Sequence, residues 1–261
     1  MNLDLTQKRA LVLGASRGIG RAIAGQLAEL GCSVTLVARN EAALRETSQG
    51  LNSVPGGHYI VPADVNQRSE LLKKISQQMD QRGSFDIFVN NTSGPRPGPV
   101  AEASAADMQQ ALESHLFVAM EVSQLLIPGM KQKCWGRIVN IISTSVKIPI
   151  KGLGISNTVR GAVASWTKTL SNEVAPFGIT VNGILPGATK TERLSEIVEE
   201  QSKSSGRAVR EVENAMISSI PMGRFGEPDE IANAACFLAS PAAGYVTGVF
   251  LAVDGGRTGT F

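Results

Sequence analysis

The chain has 261 residues, 43% of them hydrophobic and 18% charged, the balance of a soluble globular protein. Its 25 basic and 23 acidic residues leave a formal net charge of +2, and no basic stripe interleaved with aromatics marks a nucleic-acid protein. Cys32, Cys134 and Cys236 are scattered and odd in number, which fits reduced thiols better than a disulfide scaffold, and no His/Cys cluster points to a metal. No apolar run approaches the ~20 residues of a membrane span, and no signal-peptide pattern opens the chain, so a cytoplasmic location is expected.

Short runs rich in Val, Ile and Leu fall at residues 8–13, 33–38, 58–63, 85–89, 137–142, 180–185 and 248–253. They show little polar alternation, as expected of parallel strands covered on both faces. Helix-length segments lie between them at 21–30, 41–49, 68–81, 105–130, 157–175 and 229–238. The order predicts one α/β domain over residues 1–261, a Rossmann-like doubly wound parallel sheet of about seven strands. Only 191–221 breaks the alternation: it is charged and helix-prone, either a solvated helical pair or a functional insertion.

The first strand runs into Gly14-Ala15-Ser16-Arg17-Gly18-Ile19-Gly20 and then a helix. Small residues let the backbone approach a pyrophosphate, and the helix N-terminus offers it free N–H groups and positive dipole. The second strand ends Val37-Ala38-Arg39-Asn40, without the carboxylate that would hold a ribose 2′-hydroxyl. Arg39 and Arg17 could instead meet a 2′-phosphate, so NADP(H) is the expected cofactor; solvated surface arginines are the alternative.

The glycine spacing resembles that of the short-chain dehydrogenase/reductase family, and so does a second region. Ser143 closes the strand Arg137-Ile138-Val139-Asn140-Ile141-Ile142, and Ser156 follows thirteen residues later. A helix ending Glu173-Val174-Ala175-Pro176 comes next, then a strand and Leu185-Pro186-Gly187; Val253-Asp254-Gly255-Gly256 stands near the C-terminus. The resemblance implies nucleotide contacts at Gly14, Ser16, Arg17, Gly18, Ile19, Gly20, Arg39 and Asn40. It adds Asp64 and Val65 beside the adenine, Asn91, Thr92 and Ser93 at the fourth strand's end, and Pro186, Gly187, Thr189 and Thr191 around the carboxamide. It also implies a lid at about 191–221 and a homotetramer.

The family's catalytic helix carries Tyr-x-x-x-Lys, whereas this chain has Ser156 and Arg160 at those positions, and His115 where a relay asparagine is usual. Of the implied catalytic group only the serine, Ser143, is kept. An aliphatic hydroxyl is a far weaker acid than a phenol of pKa ~10, and arginine cannot pass protons along. Arg160 could still bind ribose hydroxyls and stabilise an oxyanion. Lys147, four residues after Ser143, and His115, titrating near neutrality, are replacement acids; a surface lysine and a helix-packing histidine are the alternatives. Arg96, in the stiff loop Gly94-Pro95-Arg96-Pro97-Gly98-Pro99, could clamp an anionic substrate group or stand in solvent.

The expected activity is NADP(H)-dependent interconversion of a carbonyl and an alcohol, similar in layout to bacterial 3-oxoacyl-acyl-carrier-protein reductases. Its substrate would be a small molecule, an acyl thioester among the candidates, with no nucleic acid, membrane or metal involved. A catalytically silent NADP(H)-binding sensor or partner subunit is the competing reading. A third, halohydrin dehalogenase-like chemistry, is opposed by the intact glycine loop and the absent tyrosine.

Overall fold

The structure, a computed structural model, describes residues 1–260. Among them seven strands form one parallel sheet: β1 (Arg9–Leu13), β2 (Ser33–Ala38), β3 (Tyr59–Pro62), β4 (Ile87–Asn90), β5 (Gly136–Ile141), β6 (Ile179–Pro186) and β7 (Phe250–Val253). Their order across the sheet is β3-β2-β1-β4-β5-β6-β7. Direction of winding reverses between β1 and β4, and ligands of such sheets bind in the crevice at the strands' C-terminal ends there.

Alternation along β1 shows why its strand reads as an unbroken apolar run. Ala10 and Val12 join the core on one face, and Leu11 and Leu13 join the core on the other. The first core packs α1 (Gly18–Glu29) and α9 (Pro228–Ala239) against the sheet through Ile23, Leu27, Ile231 and Ala235. The second packs α3 (Arg68–Arg82) and α5 (Val118–Gln132) on the opposite face through Leu71, Ile75, Val122 and Leu126. α2 (Glu41–Gln49) is capped by Asn40, whose side chain accepts from Ala43 N at 3.1 Å.

Two departures from the sequence expectation bear on the site. α1 begins at Gly18 rather than Arg21: Ile19 and Gly20 belong to its first turn, and Gly18 enters it with a left-handed φ of 55°. The single helix expected over 105–130 is interrupted: α4 (Ala105–Leu112) passes through a π-turn at Glu113–Phe117 before α5. Such one-turn widenings cluster at functional sites, and this one holds His115.

α6 (Gly154–Val174) crosses behind β5 and β6, and a buried polar chain fixes it there. Asn90 Nδ2 donates to Asn140 Oδ1 at 3.0 Å, and Asn140 Nδ2 donates to Thr167 Oγ1 at 3.0 Å. Thr167 Oγ1 then donates to Val163 O at 2.7 Å. Asn140 and Thr167 have no exposure, so these bonds tie β4, β5 and α6 into one rigid unit. The 191–221 segment forms two helices, α7 (Glu192–Ser205) and α8 (Val209–Ser218), as its composition suggested.

Candidate active site

The glycine turn lies against the end of β4. Gly14 has φ 65°, and a Cβ there would come within 2.3 Å of Asn91 O. A Cβ on Gly20 would come within 2.2 Å of Gly14 O. Asn91 spans the gap with its Nδ2 at 3.4 Å from both Leu13 O and Gly14 O. Backbone approaches this close admit only glycine. Arg17, at the N-cap of α1, makes no side-chain cap, so the first-turn N–H groups are left to an outside acceptor.

Arg39 is exposed at the end of β2 and has no ion-pair partner among the described residues. Arg17 is exposed too, but its guanidinium is paired with Glu192 at the start of α7. A Cβ on Gly18 would reach within 3.2 Å of the Thr191 methyl, so the turn and the start of α7 are in close apposition. Asp64 closes a tight turn by accepting from Asn66 N at 2.9 Å, with Val65 between them. On the far side Thr189 donates to Gly187 O at 3.1 Å, and Thr191 caps α7 by accepting from Leu194 N at 3.4 Å.

This cradle fits a pyridine dinucleotide: a glycine turn without room for side chains and an uncapped helix start, with Arg39 rather than a carboxylate at the β2 end.

Beyond the cradle, β5 and α6 bring together the second group. Ser143, just after β5, accepts from Ser145 N at 3.1 Å. Asn157 braces the loop between Ser143 and α6 by donating to Ile150 O at 2.9 Å. Ser156, in the first turn of α6, is buried to 8% exposure, and its hydroxyl bonds no described residue. Arg160, one turn on, donates through Nη1 to Ile141 O at 3.0 Å. Burial, and then the nearby Arg193 charge, lower its guanidinium to about 10, so it stays charged at neutral pH.

His115 does not titrate near neutrality, which corrects the sequence expectation. It is buried, its Nδ1 lies 2.5 Å from Thr92 Oγ1, and burial followed by the Arg160 charge pulls its pKa down to about 3. The ring is a neutral partner of Thr92, not an imidazolium acid. Lys147 stands on the exposed turn after Ser143, without the burial that the acid role required of it.

Arg96 is exposed, and its charge acts on Asp107 at the start of α4. The arginine that reaches the neighbouring backbone is Arg193, which donates through Nη2 to Pro95 O at 2.9 Å. The sequence reading passed over it as one of many charges on a solvated helix; its place in the first turn after the capping Thr191 was the available signal. Ser93 is exposed beside Thr92 at the end of β4, and Pro186 ends β6. Among the described residues no His/Cys/Asp/Glu group could hold a metal, and no helix is long and apolar enough to cross a membrane.

Sheet order, glycine turn and the Ser143–Ser156 spacing together define a short-chain dehydrogenase/reductase, and the chain belongs to that family. A family model described as enoyl-(acyl carrier protein) reductase matches residues 14–258. The chain is 35% identical over 254 residues to the 3-oxoacyl-[acyl-carrier-protein] reductase FabG of Vibrio harveyi, covering 97% of this chain and 98% of that one. It is 32% identical over 257 residues to the 7alpha-hydroxysteroid dehydrogenase of Escherichia coli K12, covering 98% and 96%. The crystal structure of L-sorbose reductase from Gluconobacter frateurii, complexed with NADPH and L-sorbose, superposes with a TM-score of 0.92 at 30% identity over 100% of both chains. These relatives support an NAD(P)-dependent oxidoreductase acting between carbonyls and alcohols.

Proposed function

We propose that the protein is an NADP(H)-dependent reductase of a small carbonyl compound, 3-oxoacyl-acyl-carrier-protein reductase-like in layout, working without the family's phenol. The observation that carries this is the junction of an intact nucleotide cradle with Ser143, Ser156 and Arg160 at the C-terminal ends of β4 and β5. Gly14, Gly18 and Gly20 with the start of α1 would hold the pyrophosphate, and Arg39 the 2′-phosphate. Asp64 and Val65 would border the adenine; Asn91, Thr92, Pro186, Gly187, Thr189 and Thr191 would border the nicotinamide end. α7 and α8 would act as a lid.

A nicotinamide held by these residues would supply the hydride taken up at the carbonyl carbon. This chain's residues must then manage the oxygen. The Ser143 and Ser156 hydroxyls hold it in place, and Arg160, charged and partly buried, stabilises the developing alkoxide. Ser156 donates its proton to that alkoxide and recovers one from water; two aliphatic alkoxides have similar basicity, so the transfer is close to thermoneutral. Thr92 and neutral His115 fix the wall behind it.

A second reading, a silent NADP(H)-binding subunit, has one observation in its favour: burial holds His115 neutral, and Lys147 is exposed rather than enclosed in the pocket. Loss of a general acid typically costs ~10²–10⁴ in rate, which slows an enzyme without silencing it. The test is NADPH consumption by the purified protein across a carbonyl panel, beside the paired variant Ser156→Tyr/Arg160→Lys. Native turnover that the pair lowers supports the serine–arginine site. NADPH binding without any native turnover, with activity arising only in the pair, overturns it.

A homotetramer is carried as part of the same proposal. Val249 and Leu251 at edge strand β7, with Tyr245 nearby, are exposed and suit an interface between copies.

A further inference from the structure

Two guanidinium groups reach one glycine from different elements. A Cβ on Gly94 would stand 3.8 Å from Nη2 of Arg160, on α6, and 3.9 Å from Nη2 of Arg193, in the first turn of α7. Gly94 is itself partly exposed, so the point between the two cations is open. Arg193 is held in place by Pro95 O at 2.9 Å and by Glu196 Oε2 at 3.1 Å from its Nη1. Arg160 is held by Ile141 O and pairs with no carboxylate among the described residues. Two cations are thus brought together with one carboxylate, which lies on the outer side of Arg193.

A partly buried guanidinium without a counter-ion is costly unless an anion completes it. Guanidinium groups bind carboxylates through paired, charge-assisted hydrogen bonds. A neutral carbonyl substrate would use only Arg160, at the developing alkoxide, and leave Arg193 to Glu196 alone.

We propose that Arg160 and Arg193 clamp a carboxylate of the substrate beside Gly94, so that the carbonyl compound reduced is an oxo acid rather than a neutral ketone. This rests on the reductase reading for the carbonyl, but the anion site is tested without turnover. Arg193 belongs to α7, so a carboxylate held here also fastens that helix over the pocket.

Full-length protein saturated with NADP⁺ is titrated calorimetrically with linear carboxylates from butanoate to octanoate, each compared with its primary amide. Carboxylates should bind at least about 10-fold more tightly than amides, the scale of one charge-assisted bond. Arg193→Gln should erase that preference, Arg193→Lys should keep part of it, and Glu196→Gln should enlarge it. Equal affinities for acid and amide, or a preference that survives Arg193→Gln, overturn the clamp. So does a matching loss of NADPH affinity in Arg193→Gln, which would make the anion the cofactor's own phosphate. A carboxylate preference in a protein that turns over no oxo acid supports the clamp and sinks the reductase reading alone.

Discussion

Replacing His115 with asparagine should flatten the acid limb of the protein's stability profile. Unfolded, the ring titrates near 6.5; folded, burial and then the Arg160 charge hold it at about 3. Between those values the unfolded chain takes up a proton that the native ring refuses. The stability conferred by a neutral ring is therefore whole above the unfolded pKa and is lost as pH falls toward the folded one. At pH 5 that loss comes to about 2 kcal/mol, from the proton-binding difference at ~1.4 kcal/mol per pH unit. Urea unfolding midpoints at pH 7 and pH 5, for wild type and His115→Asn, measure it directly. The wild type should lose about 2 kcal/mol more than the variant over that interval. Equal losses would refute the neutral, buried ring and return His115 to the list of proton donors.

Three other substitutions probe the cradle and its support. Gly20→Ala sets a methyl against the Gly14 carbonyl, where only 2.2 Å is available, and should weaken NADPH binding at least about 10-fold by fluorescence titration. Arg39→Asp should weaken NADPH by about 10- to 100-fold while leaving NADH no worse, since one charge-assisted contact to the 2′-phosphate is exchanged for a hydroxyl acceptor. Asn140→Ala removes both its 3.0 Å bonds in a site without solvent and should cost about 2–4 kcal/mol of unfolding free energy, read from urea midpoints.

Fold and cradle were legible because each is written in local chemistry. Runs of branched aliphatics marked the strands, and glycines that no other residue could replace marked the turn at Gly14–Gly20. The π-turn at Glu113–Phe117 carried no such mark, since nothing in Glu-Ser-His-Leu-Phe sets it apart from a continuing helix; in the fold it lies against α6. Whether His115 is an acid or a packing residue stayed open in the sequence for a related reason: its charge state depends on burial and on Arg160, a residue far along the chain. Arg96 sat in a conspicuous proline-rich loop, whereas Arg193 was one charge among many. Only the return of α7 to Pro95 O separates them.

The chain of amide and hydroxyl bonds from β4 to α6 bears on what the side chains at Ser156 and Arg160 have to do for the fold. Thr167 pins α6 two turns beyond Arg160 on the same face of the helix, through contacts that involve neither Arg160 nor Ser156. The mooring of that helix is thus separate from its first two turns, so the side chains at Ser156 and Arg160 can change with the scaffold's alignment preserved. A frame built this way lets lineages retool their chemistry before they risk their shape.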